Sequence, residues 1–512
     1  MTIREKKVGS ILLIRGIDIS LPAEFIDDSS ARNSENFEIS RGVLTKRSGN
    51  AKLGGVIGGT SKEVMGGREF IREDVAYNVR IGREKIERYN VGTSAWVDIT
   101  DTDLTGATTD LVSTAIPLLS GQPILCITNG KDPIQKWTAS GDVAVLGGTP
   151  PVARFIQEYK TYLVGANIGG GVDVNQRVQW CDTADPENWS TGNAGEVDLV
   201  EDGEGITGLS LFGSYICVHK ERSIYLGYLV SSTAVFLFDR KATGVGTIAN
   251  GSIQNLPSGE QIFLAKDGLY LFNGANCKTL SEAINEEIRD SINAKKKKKA
   301  WSVLVRSKKE VWIGIPLGAD SYGETVYKYN YENKTILKDI RPYVNSCWIG
   351  VSTAGLTWDG MTGTWDQQTS RWDGSGLSKS SDVVNISDVN GYTYAISQVT
   401  KDDDGDAVSA VWVTKDYQDS QQRISRFNKL ELWAKGSSVK VEYSIDHGNT
   451  WDEMIDSPFT LTDEYPDISS PDIFYFDVVS STIRFRFSNN FSEQSLSIKQ
   501  FIISYIPREM RN

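Results

Sequence analysis

The sequence predicts an all-β chain built mainly as a β-propeller of six or seven blades. Three observations point there. The composition joins 48 Gly to 13 Trp, 20 Tyr and 17 Phe, the mixture of pleat-filling side chains and turn formers that strands and tight turns require. Paired apolar–aromatic runs, each broken by Gly, Asn or Asp, recur at roughly the 40–50 residues of one blade. Between residues 150 and 280 these read PPVARFIQEYKTYLVGAN, RVQWCDTADPENW, GITGLSLFGSYICVHKERSIYLGY and GEQIFLAKDGLYLFNGANCKTL. Only one segment of the chain carries a helical period.

Taken in order, residues 1–60 lack the blade pattern and read as an N-terminal arm with a small hairpin around FEI and VLT, or as a frayed terminus. The propeller is expected over 61–375, from EFIRE and VAYNVRIG through QPILCITNG, TYLVGAN and LSLFGSYICVHK to VWIGIPLG, TVYKYNYENKTILKDI and GLTWDGMTGTWDQQTSRWDG. Within it, TLSEAINEEIRDSINAKKKKKA is the one inserted short helix. Thr279 and Glu282 have capping-box spacing, and Leu280, Ile284, Ile288 and Ile292 lie four apart on one face. Residues 376–407 read as a polar linker containing the acidic turn KDDDGDA, which lacks the ligand spacing of a calcium loop. From 408 to 512 the alternating strands SAVWVTKD, FNKLELWAKG, VKVEYSID, IFYFDVV, TIRFRFSN and SIKQFIISYI predict a C-terminal β-sandwich-like domain.

Charge and cysteine usage narrow the function classes. A net charge of −12 argues against binding nucleic acid through a basic face, yet suits the wall of a channel past which phosphates slide. The five cysteines, Cys126, Cys181, Cys217, Cys277 and Cys347, are dispersed without a CxxC, so they are expected as small buried hydrophobes and not as zinc ligands or disulfides. The apolar run ILLI near the start is shorter than the ~7 residues of a secretory core or the about 20 of a membrane span. That predicts synthesis in a cytosol and no membrane span.

No motif supplies a reaction centre. The two histidines, His219 and His447, have no second ligand at metal spacing, and no HExxH, GxSxG or Walker-type loop occurs. Gly244-Val-Gly246-Thr-Ile-Ala249 imitates a dinucleotide fingerprint but runs into Asn250-Gly251 where a helix should start. Asp182-Thr-Ala-Asp185-Pro186-Glu-Asn188-Trp189 reads as a stabilised turn over a buried Trp. Catalytic residues, metal ligands and cofactors are therefore expected to be none. Ser444, Asp446, Gly448, Thr450 and Trp451 match the Asp-box S-x-D-x-G-x-T-W. Its Asp accepts backbone N–H groups, its Gly takes a positive φ and its Trp packs beneath the hairpin, so a structural turn is expected. The run Lys295, Lys296, Lys297, Lys298 and Lys299 has two readings: a solvated helix terminus favoured by the macrodipole, or a contact to a channel, an acidic partner or DNA.

ENFEISRGVLTKRSGN, ARFIQEYKTYLVGAN leading into QWCDTADPENW, EQIFLAKDGLYLFNG before an acidic helix, and VEYSIDHGNTW occur in this order along most of the chain. In that order they resemble the tail nozzle, or tail hub, proteins of short-tailed bacteriophages. The resemblance implies a structural virion protein of the tail, made in the host cytoplasm and assembled as a homohexamer. It would dock on the head-to-tail adaptor beneath the portal, carry tail fibres or spikes nearby, and pass double-stranded DNA without sequence-specific binding. The family brings no catalytic residues. The alternative is a sialidase-like or other glycan-processing or glycan-binding propeller, supported by the single Asp-box and the aromatic richness. The Arg-Ile-Pro string expected of sialidases is missing, Ala153-Arg154-Phe155-Ile156 being the nearest.

Overall fold

A computed structural model of the protein describes residues 6–169, 173–230, 235–350, 383–396, 400–419, 421–454, 457–461 and 470–507. It is all-β apart from one α-helix, Glu282–Ser291, and four short 3-10 turns. The propeller is present. Six separate four-stranded sheets and a seventh quartet, Trp301–Val305 to Thr335–Ile340, follow one another around an axis. In chain order the seven innermost strands are Val64–Arg72, Ser113–Ala115, Ala153–Tyr159, Ile206–Phe212, Gln254–Asn255, Trp301–Val305 and Val344–Gly350, and residues on or flanking all seven line one axial cavity. Each quartet is an antiparallel meander whose side chains alternate toward the neighbouring blades.

Ring closure comes from the N-terminal part of the chain. The last quartet consists of Val344–Gly350, Val383–Asp388, Thr393–Ile396 and, as its outermost strand, Asn50–Lys52. Its inner strand packs on the first blade so closely that a Cβ on Gly67 would lie 2.2 Å from the Trp348 ring. The indole N–H of Trp348 also donates to Asn78 Oδ1 at 2.8 Å.

This arrangement corrects two expectations. Within 376–407, expected as a linker, the described residues Val383–Asp388 and Thr393–Ile396 are blade strands. Val384 and Ile386 are buried, while the polar texture that suggested a linker comes from side chains buried inside the blade, among them Ser387 against Thr393 at 2.8 Å. The described part of residues 1–60 does not form a separate arm either, although the hairpin expected around FEI and VLT is present, with Phe37 opposite Lys46 and Ser40 opposite Val43. Ala31–Glu35, Phe37–Ser40 and Val43–Lys46 are strands of the sandwich. GLTWDGMTGTWDQQTSRWDG, expected to supply propeller strands, lies outside the described residues.

The sandwich pairs two sheets that each mix early and late chain. One runs Phe37–Ser40, Val43–Lys46, Leu496–Pro507, Ser425–Gly436, Asp472–Ser480, with Lys6–Lys7 and Ile11–Leu12 also on Leu496–Pro507. The other continues from the sixth blade: Thr335–Ile340 is followed by Ala31–Glu35, Ala410–Thr414, Thr482–Asn489, Ser438–Ser444 and Asp452–Glu453, and with Tyr417–Gln418 on Thr482–Asn489 and Phe459–Thr460 on Ser438–Ser444 the sheet has eleven strands in all. The two inner faces interdigitate around Phe37, Trp412, Phe485, Phe487 and Phe501. Phe37 meets Trp412 edge-on, ring centroids 6.5 Å apart, a favoured aromatic geometry.

The seam between propeller and sandwich is charged and dry. Arg47 is buried, forks onto Asp403 at 2.6 and 2.9 Å, and donates through Nε to Asn36 Oδ1 at 2.8 Å. Lys328 bonds Asp339 at 2.7 Å and the Phe37 carbonyl at 3.0 Å. Lys308 holds Glu38 at 2.7 Å. Burial would raise the Glu38 and Asp339 carboxyls, but Lys308 and Lys328 around Glu38, and Lys328, Arg341 and Arg47 around Asp339, outweigh it and hold both below the ordinary carboxylate range. Burial pushes Glu310 the other way.

Removing one member of a buried pair leaves an uncompensated charge, so Arg47→Met is expected to lower the unfolding free energy by about 3 kcal/mol in a chemical denaturation series. The two depressed carboxyls contribute stability that is complete above their unfolded values and is lost as pH falls through their folded values; Glu310 opposes them with the reverse sign. Denaturation midpoints are therefore expected to stay level from about pH 7 to 5 and to drop below about pH 4. A midpoint rising in acid would contradict the assignment.

Candidate functional site: the axial channel and its basic mouth

The axial cavity has a volume of about 720 Å³ and a polar wall. Arg68, Glu69, Gln157, Glu158, Ser210, Gln254, Asn255, Ser302 and Arg306 face it from successive inner strands and the turns beside them. Glu158 approaches Arg68 at 4.0 Å and accepts the Ile116 amide at 3.1 Å. Glu158 is thus tied to a cation and a backbone donor, an arrangement that holds the wall together.

The lysine run follows the helix but does not cap it. Glu282–Ser291 buries Ile284 and Ile288 as its spacing predicts, and Asn285 Oδ1 accepts the Leu269 amide at 3.1 Å, docking the helix on the fifth blade. Thr279, expected to open the helix, instead ends the strand Cys277–Thr279. Lys297–Lys299 form a separate 3-10 turn leading into the sixth blade. The five lysines have different fates. Lys295 is exposed and Lys296 half-buried. Lys297 pairs with Glu221. Lys299 is buried with its ammonium 4.0 Å from the centroid of the Tyr322 ring, and burial lowers it below its ordinary value. Lys298 lines a small pocket with Arg154, Asn167, Thr207 and Asn250. These residues sit where the inner strands of blades 3 to 6 begin, so the pocket lies at one mouth of the channel. Arg154 was not singled out by its sequence, because nothing in the string ARFI marks an arginine that fold geometry will set beside a lysine 144 positions later.

The Asp-box residues come together as a turn. Asp446 Oδ1 accepts the Thr450 amide at 2.9 Å and the Ser444 hydroxyl at 2.7 Å, while Oδ2 accepts the Thr450 hydroxyl at 2.6 Å. These hydrogen bonds hold the carboxyl far below its ordinary range. Gly448 has φ +90° and donates to Ser444 Oγ at 2.8 Å. Trp451 lies under the Arg486 guanidinium, 4.4 Å from ring centroid to Cζ.

His447, in the same turn, was expected to stand alone. It meets Asp416 Oδ2 at 2.7 Å and Glu24 Oε1 at 3.7 Å, partners from two distant segments that sequence spacing cannot bring together. These three residues are the one group among the described residues with the donors and spacing for a metal ion. Asp416, however, is already forked by Arg484 at 2.6 and 3.0 Å, so its lone pairs and charge are committed to a guanidinium. The other histidine, His219, is buried against Gln261 Oε1 at 2.7 Å, and burial lowers it to about 4. Asp182–Trp189 forms the expected turn, with Asp182 accepting the Asn193 amide at 2.8 Å and the buried Trp189 donating to the Pro186 carbonyl at 2.7 Å. Cys126, Cys181 and Cys217 are buried and Cys277 and Cys347 half-buried, all as thiols; burial pushes Cys181 up to about 12. Among the described residues no helix is long and apolar enough to cross a membrane.

Gly448→Ala would place a Cβ 2.7 Å from Arg484 Nη1 at a φ that L residues rarely adopt. The variant is expected to lose about 1 kcal/mol or more of stability, read by denaturant titration. An unchanged midpoint would show that the turn relaxes freely.

No family model and no curated protein matches this chain. Solved structures do. BamB from Moraxella catarrhalis aligns with 12% identity and a TM-score of 0.36 over 77% of this chain and 97% of that one. Exo-beta-1,3-galactanase from Phanerochaete chrysosporium, solved with galactose, aligns with 9% identity and a TM-score of 0.28 over 89% and 100%. Apo AztD from Citrobacter koseri aligns with 11% identity and a TM-score of 0.32 over 60% and 94%. At these identities and scores the likenesses carry no argument about this chain.

Proposed function

We propose that the chain is a structural subunit of a short-tailed phage tail, a nozzle or hub protein whose copies form a ring closing the DNA exit channel and conducting DNA during ejection. The observation that carries this reading is the continuity of the body. One eleven-stranded sheet runs from the sixth blade through the sandwich, and buried ion pairs cross the seam. A sheet sheared along its strands resists through all its ladder bonds at once, which suits a wall under load. The resemblance of the ordered sequence blocks to tail nozzle proteins and the net charge of −12 support the same reading. In it the chain acts as a homohexamer in the virion tail, docked on the head-to-tail adaptor beneath the portal, with fibres or spikes nearby.

The propeller axis is not the DNA path in this proposal. One turn of duplex rises about 34 Å, and its bulk far exceeds a cavity of about 720 Å³. The conduit would be the space enclosed by the copies, lined by acidic outer surface that does not trap phosphates.

Native mass measurement and electron imaging of tails test the proposal: a closed ring of six copies is the expected result, and a strictly monomeric species within assembled particles would overturn it. Saturable turnover of a fluorogenic sialoside or other glycoside by the purified chain would replace it with the glycan-processing alternative.

A further inference from the structure

We propose that Arg154 and Lys298 form a binding site for a phosphate-class oxyanion at the mouth of the propeller's axial channel. The inference goes beyond the tail reading and stands or falls independently of it. The site begins with a charge imbalance. Among the described residues neither side chain makes an ion pair with a carboxylate: Glu221, whose charge also acts on the Lys298 ammonium, is paired with Lys297, and the guanidinium of Arg154 spends one N–H on the Thr109 carbonyl at 3.0 Å. The fold nonetheless presents both to the same pocket. They are close enough that, after burial, Arg154 is the largest influence lowering the Lys298 ammonium below its ordinary value.

Two like charges held together at a surface repel unless something of opposite sign lies between them. The pocket has the size and lining for that. Its volume is about 40 Å³, room for roughly three water-sized spheres, the scale of a tetrahedral oxyanion and well below that of a sugar. Its walls include Leu111, Phe155 and Ile248, which keep the local dielectric low and strengthen any charge pairing inside. The oxygen of Asn250 is used by the Leu209 amide at 3.0 Å, which turns its NH₂ group into the available end. The donors come from three different blades and line one pocket, as an oxyanion with several acceptor oxygens requires. Arg154 supplies the fork geometry that a phosphate takes on two oxygens, and Lys298 a point charge.

Inorganic phosphate is the probe. Calorimetric titration at constant ionic strength is expected to show saturable binding to the native chain, weakened about tenfold or more in Arg154→Gln and in Lys298→Gln and unchanged in Lys295→Gln. Circular dichroism checks that each variant is folded. Should a variant fail to fold, the native chain alone decides. Phosphate should protect Lys298, and not Lys295, from acylation by an N-hydroxysuccinimide ester, read by peptide mass spectrometry. Absence of saturable binding, equal affinity in all variants, or equal protection of the two lysines overturns the site. Displacement of bound phosphate by a short duplex would identify the oxyanion as nucleic-acid backbone, and binding that the duplex leaves intact would identify it as a free oxyanion.

Discussion

A propeller stands only if its first and last blades are locked, and in this molecule the lock is the pairing of Asn50–Lys52 with Thr393–Ile396. Three residue pairs of antiparallel ladder would be a weak clasp alone. Ion pairs flank it at both ends: the buried Arg47 forks onto Asp403, and Lys52 meets Asp404 at 2.6 Å. The acidic turn that looks in sequence like a solvated loop is the keeper into which this clasp closes. Gly49 is required beside it, because a Cβ there would lie 1.8 Å from the Asp402 carbonyl oxygen.

The same short stretch of chain also sets the orientation of the sandwich. Between Ala31 and Lys46 it passes through both sandwich sheets, and Glu38 and Asn36 reach back to the sixth blade, where Asn36 Oδ1 accepts the Ile340 amide at 3.1 Å and Lys308 meets Glu38. Buried ion pairs add little net stability over well-packed apolar side chains, because desolvation cancels most of the attraction. Their effect here is on register. A slip of one residue along this stretch would take Glu38 away from Lys308 and Lys328, and an unpaired buried charge costs far more than a lost apolar contact.

Much of the fold was legible in the sequence because blade strands announce themselves locally. FLAKDGLYLF and TYLVGAN show apolar runs with turn residues at hairpin spacing, and the helix shows Ile284 and Ile288 at helical spacing. The Asp-box was legible for the same reason, since all its hydrogen bonds close within seven residues. What was hidden is what depends on chain ends meeting. DVVNISD looked too polar for a blade, yet Asn385 and Ser387 are fully buried, Ser387 against Thr393, in a blade that periodicity cannot foresee. The lysine run looked like one feature, but the turn Lys297–Lys299 splays its members in different directions, one onto an aromatic ring, one onto an acid, one to the channel mouth. Arg154 and the His447–Asp416–Arg484 cluster join segments far apart in sequence and leave no local trace.

The double use of residues 31–52 has a consequence for synthesis. Their partners are Thr335–Ile340, Thr393–Ile396, Ala410–Thr414 and Leu496–Pro507, so the portion translated first waits for the portion translated last. While the ribosome is still working, six blades can stack as an open arc, but neither the seventh nor either sheet of the sandwich can be completed. A nascent chain in that state exposes strand edges on both sides of the gap, which makes the interval before Leu496–Pro507 emerges the moment when holding chaperones, or premature pairing with a neighbouring polysome product, decide the yield.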